Sequence, residues 1–348
     1  MTLSPHKLLR AAALTLTLLL ASCAPAEKGT QYFKESGERF HTLYHLTYRS
    51  PSPLTAAIDS TMQRFDDELN NFKESSFISA WNRSETDSLS PMLQDVLLRA
   101  LEVSRKTGGV YDVTGSPLFD LWGFGAKKGV DALPTDAQVD SVLEFVGYAK
   151  LTLDTLRHKL LKADPRMTIN PSSLSKGYVT DLVAQTLEER GVTDYMVEIG
   201  GEIVARGVNP DGNPWRIGIS KPVERPKGEA YDENLLYAIE ISEKCGMASS
   251  GDYRNYKIIE GKKLAHTLNV LTGRPAHQDI LGATVVAPTC MEADAWATAF
   301  MSLGLEKSIR LLNEEPQLRV LLIYAAPDTG ELKTYEKGLT IQELSPNK

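Results

Sequence analysis

The sequence predicts an α+β fold, and three observations carry that reading. Strand-like segments mostly follow one another, helical patterns fall in groups, and neither a repeating strand–helix–strand unit nor an internal repeat occurs. Tyr44, Leu46 and Tyr48 alternate as a first strand. Ser52-Pro53 then opens a helix carrying Ile58, Met62, Phe65 and Leu69. Ser90-Pro91 opens another with Leu93, Val96, Leu97, Ala100 and Leu101, stopped by Gly108-Gly109. A third spans Thr135 to Val146, and a hairpin turns around Asp154–His158. A fourth helix covers Leu174 to Glu189, closed by Gly191. Strands follow at Tyr195–Ile199, Ile203–Arg206, Arg216–Ser220, Leu235–Ile241, Tyr253–Ile258 and Gly282–Ala287. A helix beginning at Thr289, a short one near Glu306–Leu312 and a hairpin around Arg319–Tyr335 close the chain.

The N-terminus reads as an address. His6, Lys7 and Arg10 precede an apolar run from Ala11 to Ala21, and then comes Leu20-Ala21-Ser22-Cys23. The run is far short of the about 20 residues a spanning helix needs. Its end resembles a bacterial lipobox, so residues 1–22 are expected to be a lipoprotein signal peptide and Cys23 the lipidated first residue of the mature chain. Residues 23–39 are polar and aperiodic and read as a tether; the folded domain is expected over 40–345.

Removing residues 1–22 takes away Lys7 and Arg10 and no acid, so the formal charge of −7 becomes −9. That diffuse acidity, with no basic run longer than a pair such as Lys127-Lys128, argues against nucleic acid as a partner. The mature chain is long enough for one large core or two joined lobes. With Cys23 lipidated, only Cys245 and Cys290 remain. Their types and spacing match no zinc site; one disulfide and two buried thiols are both open readings.

The chemistry is densest at Glu292-Ala293-Asp294-Ala295-Trp296-Ala297-Thr298. Thr289 and Glu292 stand in capping-box register, Trp296, Phe300 and Leu303 give an apolar stripe, and Gly304 can end the helix. Asp294 and Thr298 are then i and i+4 on one face, two oxygen ligands for a hard cation such as Mg2+. Several Gly-punctuated segments accompany them. Thr107-Gly108-Gly109-Val110-Tyr111-Asp112-Val113-Thr114 leads into Pro117-Leu118-Phe119-Asp120-Leu121-Trp122-Gly123-Phe124-Gly125. Ser175-Lys176-Gly177-Tyr178 opens the fourth helix, with Asp181 a turn on. Lys176 there opposes the helix dipole, which suggests an anionic ligand. Glu198-Ile199-Gly200-Gly201-Glu202 joins two strands, Ser249-Ser250-Gly251-Asp252-Tyr253-Arg254 precedes another, and His266 to Pro275 is a polar turn. No Gly-x-Gly-x-x-Gly follows a strand, which weighs against a dinucleotide oxidoreductase.

Taken together and in this order, these segments resemble one family: the bacterial FAD:protein FMN transferases of the ApbE type, many of them envelope lipoproteins. The resemblance runs from about Phe40 to about Gly304. It implies a single large two-lobed domain with mixed or antiparallel sheets. It also implies an activity, in which FAD is cleaved at its pyrophosphate, FMN is joined to a Thr or Ser hydroxyl of a partner protein, and AMP is released. By motif, Asp294, Thr298 and the backbone carbonyl of Ser173 match the Mg2+ ligands, and Lys176 lies against the FAD phosphates. Phe40, Phe72, Val110, Tyr111, Asp112, Asn170 and Leu268 match positions that line the FAD pocket. His266 is the candidate base for the incoming hydroxyl, since His titrates near neutrality; Lys176 and Asp294 complete the catalytic set. The implied partners are FAD, an envelope redox protein carrying the acceptor hydroxyl, and a membrane through the lipid on Cys23, on the periplasmic side. The chain departs from the pattern at Asn170, Asn269-Val270 and Ser249, where members often carry Asp, Asp-Pro and Thr. Two other readings share the site: a pyrophosphatase that passes FMN to water, and a lipoprotein that binds FAD without chemistry.

Overall fold

Eight strands form one antiparallel sheet whose spatial order equals its chain order: Gln31–Arg39, Thr42–Ser50, Tyr195–Ile199, Glu202–Arg206, Cys245–Gly251, Ile280–Ala287, Arg319–Ala325 and Leu332–Lys337. The computed structural model describes residues 29–125, 132–220, 235–251, 256–259, 262–265, 267–276, 279–326 and 328–344. Among these residues every strand pair is antiparallel, which fixes the sheet type that the sequence had left between mixed and antiparallel.

The sheet is covered on both faces. Strand periodicity sends Val320 and Leu322 to one side and Leu321 and Ile323 to the other. The first side packs on helices Thr55–Leu69, Pro91–Lys106, Ser175–Glu188 and Cys290–Leu303. The second packs on a three-stranded sheet of Trp215–Ser220, Leu235–Ile241 and Ile341–Glu343, through Trp215, Ile217, Ile239 and Ile241. Strand Glu202–Arg206 lies between both layers, so Ile203, Val204 and Ala205 are all buried and its pattern does not alternate. A smaller lobe gathers Leu118, Trp122, Val139, Val146, Leu268 and Val270. It is pinned where the Trp122 indole donates to the Gly273 carbonyl at 2.8 Å.

Most predicted elements stand within a residue or two, and three expectations change. The first concerns the tether: Gln31–Arg39 is a nine-residue edge strand, paired along its whole length with Thr42–Ser50. Its half-buried side carries Phe33, Glu35, Gly37 and Arg39, too polar to register as a strand by periodicity. The helix from Ser52-Pro53 begins at Thr55, without a side-chain cap. The Asp294 helix, Cys290–Leu303, is buried on nearly all sides rather than along one stripe, because it lies between the sheet and its neighbouring helices. Its cap is half the expected box: Thr289 Oγ1 accepts from the Glu292 N–H at 3.2 Å, while the Glu292 carboxylate turns to Arg99 and Gln317.

Two short helices, Phe77–Asn82 and Ser116–Leu121, and the strand Cys245–Gly251 were not predicted. The strand reads Cys-Gly-Met-Ala-Ser-Ser-Gly, with little β-propensity. Its small residues serve contact: a Cβ on Gly246 would come within 2.0 Å of the Cys290 backbone nitrogen. The strand also settles the cysteines. Cys245 faces the three-stranded sheet and Cys290 the helical layer, so the two thiols lie buried and free on opposite faces of the main sheet.

Gly246→Ala should therefore lower the unfolding free energy by about 3 kcal/mol or more, because the obstructing atoms are backbone. Thr289→Ala should remove about 1 kcal/mol, an ordinary cap loss. Urea midpoints at constant m-value read both; a Gly246→Ala loss no larger than that of Thr289→Ala would contradict the packing.

Candidate active site

Two helices start side by side, each supplying a carboxylate to the other's first turn. The N–H groups of Cys290 and Met291 donate to the two oxygens of Asp181, at 2.8 Å each. In return the N–H of Gly177 donates to Asp294 Oδ2 at 3.0 Å. The approach is close enough that a Cβ on Gly177 would sit 2.3 Å from the Cys290 carbonyl oxygen. Burial pushes Asp181 up to about 6, against the pull of its two N–H donors. Burial, and then the Glu202 charge, push Asp294 up to about 8, opposed by Lys176 and the Gly177 N–H.

The three oxygens expected to bind metal are brought together. Thr298 Oγ1 donates to the Ser173 carbonyl at 3.5 Å and lies 3.4 Å from Ser250 Oγ, while Asp294 stands one turn back on the same helix. Ser173 Oγ donates to the Tyr111 hydroxyl at 2.9 Å, fixing the segment that presents the carbonyl. The donor set is all oxygen, as a hard cation requires. Neighbouring ligands of an octahedral Mg2+ with bonds of about 2.1 Å stand about 3 Å apart, close to what Thr298 and Ser173 offer. The all-oxygen donor set and the Thr298–Ser173 spacing fit the ion. Among the described residues no group of three His, Cys, Asp or Glu side chains could hold a metal.

Lys176 opens its helix as predicted, and its ammonium pairs with Glu202 Oε1. Burial would lower the Lys176 pKa, but Glu202 and Asp294 outweigh it and hold the ammonium above the usual lysine range. Burial raises Glu202, which is 3% exposed, while Lys176 pulls it back. Glu202 Oε2 is buried without a hydrogen-bond partner and lies over the Gly200-Gly201 turn, 3.4 Å from where a Gly200 Cβ would be.

The expected flavin-lining residues form two groups around this centre. Tyr111 and Asn170 adjoin the Ser173 segment: the Asn170 N–H donates to the Val113 carbonyl at 2.8 Å, and its Oδ1 accepts from the Ser172 N–H at 3.0 Å. Val110 is joined to the Leu268 turn through the Val270 N–H, which donates to its carbonyl, and Leu268 is buried in the smaller lobe. Phe40 and Phe72 stand on a rim. Phe40 and His41 both take positive φ, 54° and 58°, in the hairpin turn, a conformation that costs non-glycine residues about 1–2 kcal/mol each. The Phe40 ring sets its edge on Phe65 at 5.0 Å, His41 meets Phe72 at 6.4 Å, and Phe72 is 61% exposed. The Asp112 carboxylate is engaged internally by the Thr114 N–H and hydroxyl and the Tyr148 N–H, so that side chain holds the loop. His266 lies outside the described residues, as do Cys23 and Asp252–Arg254.

Sequence reasoning quoted Glu202 and Ser250 within motifs and assigned neither a role, and it noted Asp181 only for its spacing. The available signal at Glu202 was a charge directly ahead of the apolar run Ile203-Val204-Ala205.

The chain is similar to known proteins along most of its length. The ApbE family model matches residues 40–322. The FAD:protein FMN transferase of Haemophilus influenzae is 36% identical over 324 residues, 89% of this chain and 91% of that one. That of Vibrio cholerae is 34% identical over 325 residues, 91% and 93% of the two chains. Among solved structures, the flavin transferase ApbE from Vibrio cholerae aligns with a TM-score of 0.76 at 31% identity, covering 89% of this chain and 98% of that one. The apo flavinyl transferase ApbE of Pseudomonas stutzeri aligns with a TM-score of 0.75 at 26% identity, covering 89% and 95%. With the family model matched over residues 40–322 and relatives above 30% identical along nine-tenths of the chain, the chain belongs to the ApbE family.

Proposed function

We infer that the protein transfers FMN from FAD to a Thr or Ser hydroxyl of a partner protein. The observation that carries this is the convergence of Asp294, Thr298 and the Ser173 carbonyl beside the Lys176 ammonium, an oxygen-rich pocket with one fixed cation, suited to a pyrophosphate. In the reaction the acceptor hydroxyl oxygen bonds to the FMN-side phosphorus. The bridging phosphorus–oxygen bond breaks with its electron pair leaving on AMP, and the hydroxyl proton passes to a base, for which His266 is the candidate. Phosphoryl transfer of this kind depends on alignment and charge neutralisation more than on a covalent helper.

Asp294, Thr298 and Ser173 would hold a Mg2+ ion, which when bound supplies Lewis-acid neutralisation of the pyrophosphate. Lys176, paired with Glu202, contributes an ammonium held above the usual lysine range beside these oxygens. Tyr111 keeps the Ser173 segment in place through its hydroxyl. Phe40 and Phe72 offer aromatic surface at the rim, where a flavin ring can stack. The lipobox-like Leu20-Ala21-Ser22-Cys23 supports a lipid-anchored protein on the periplasmic side of the envelope, acting on redox proteins there.

The test incubates the protein with FAD and Mg2+, with and without an acceptor domain bearing a flavinylation-type Thr, and reads products by mass spectrometry. Acceptor-dependent FMN adduct plus AMP is expected. Asp294→Ala should reduce it about 100-fold or more and Lys176→Met about 10- to 100-fold. Free FMN and AMP without adduct would make the protein a pyrophosphatase, and intact bound FAD a binding protein.

A second prediction concerns pH. Asp294 is an acid whose folded pKa, about 8, lies above its ordinary 3.8, so between these values the folded chain keeps a proton that the unfolded chain releases. Stability from this group is complete below about pH 4 and falls as pH rises toward 8. In EDTA, the melting temperature of Asp294→Asn should therefore gain on wild type steadily from pH 5 to 8, and Mg2+ at pH 8 should close the gap. A gap independent of pH would contradict the assignment.

A further inference from the structure

Lys176 has two carboxylates within electrostatic reach, and the structure gives it to only one. Its Nζ pairs directly with Glu202 Oε1, whereas Asp294 influences it only at longer range. Asp294 is held by a backbone donor, the Gly177 N–H at 3.0 Å. An ammonium near a buried aspartate would ordinarily pair with it, because the desolvated carboxylate gains from the nearest cation. A Lys176–Asp294 pair would place a fixed cation on the carboxylate meant for the metal.

Glu202 is built into the sheet in a way that suits it to hold Lys176 off Asp294. It is the first residue of a strand buried on both faces, it is 3% exposed, and its second oxygen has no partner among the described residues. A carboxylate so placed is costly to retain and has one cationic neighbour. Strand Glu202–Arg206 is rigidly paired on both sides, so Glu202 draws Lys176 toward the sheet and away from the Asp294 helix.

We propose that Glu202 is a positioning residue that sequesters the Lys176 ammonium and so keeps Asp294 free to bind a divalent cation. This rests on the metal reading given above. Glu202 makes no hydrogen bond to the metal ligands among the described residues; beyond the repulsion between its charge and Asp294, it acts through Lys176. The consequence is a specific non-additivity. Removing Glu202 alone releases Lys176 onto Asp294 and weakens cation binding, whereas removing Lys176 as well leaves Asp294 free again.

The experiment measures Mg2+ binding to the purified full chain by calorimetry, with Mn2+ electron paramagnetic resonance as an independent readout. It covers wild type, Glu202→Gln, Lys176→Met, the double variant and Asp294→Asn, all without FAD. Glu202→Gln should bind Mg2+ about 10-fold more weakly than wild type, Lys176→Met at least as tightly, and the double variant within about threefold of Lys176→Met. The double variant replaces an ion pair by two uncharged side chains of similar size, so it remains informative if Glu202→Gln alone folds poorly. A double variant much weaker than Lys176→Met overturns the proposal, since Glu202 would then act on the cation by its own charge. Unchanged binding in a folded Glu202→Gln overturns it as well. If wild type binds no Mg2+, or Asp294→Asn binds as wild type does, the metal reading itself falls and the proposal with it.

Discussion

The reciprocal capping of two helices is the constraint on which the rest of the site depends. Asp181 receives the first N–H groups of the Asp294 helix, and Asp294 receives the N–H of Gly177. Each buried carboxylate thus meets unsatisfied donors of a helix start, where the peptide dipoles also favour negative charge. Without those donors, two ionisable acids at this depth would be strongly destabilising. The arrangement requires backbones to touch, so it requires Gly177 between the helices and Gly246 beneath them. Because Asp294 is held by backbone rather than by another side chain, its position follows from the helix crossing itself.

Charge balance follows from that geometry. Glu202 and Lys176 balance each other, and Asp294, held up to about 8, keeps its proton near neutral pH, so without a cation the inner pocket has no net positive charge to draw a pyrophosphate. A divalent cation on the Asp294, Thr298 and Ser173 oxygens would displace that proton and supply the charge, which makes cation and dinucleotide mutually dependent ligands in the proposed reaction. Lys176 alone cannot do this, since it is already balanced by Glu202.

What was legible in the sequence divides along physical lines. Local signals were sufficient where local physics decides: Ser90-Pro91, Thr135 with Gln138, and Thr289 each mark a helix start because a side chain satisfies an orphan donor there. The i and i+4 placement of Asp294 and Thr298 was likewise readable, and resemblance in ordered motifs supplied Ser173 and the rim aromatics. Tertiary demands were not readable. Cys245–Gly251 is a strand because neighbours on both sides pair with it, and its small residues answer to a helix packed above. Glu202 looked like one more residue after a Gly-Gly turn, since its partner is 26 positions away. Burial on both faces of a strand erases alternation, so periodicity could not say which charge was inside.

The N-terminal strand shows how far an aperiodic stretch can matter. It lies ahead of residue 40, where the family match begins, yet it is fixed to the domain along its length. Phe33 stacks on Tyr48 at 5.7 Å, the Tyr48 hydroxyl donates to Glu35, and the Thr55 hydroxyl donates to the same oxygen at 3.0 Å. The Leu54 N–H closes the set on the Tyr48 hydroxyl at 2.8 Å, so strand, neighbouring strand and helix start share one polar knot. At the other end the strand runs directly into the Phe40-His41 turn, whose positive φ values need a well-paired hairpin to hold them. A chain cut at residue 40 would lose the partners that hold that turn and expose the Thr42–Ser50 strand as a new edge. The domain therefore begins near Gln31. Only seven residues then separate it from Cys23, a reach of about 25 Å at full extension. If Cys23 carries the lipid, the domain works close to its membrane rather than at the end of a long tether.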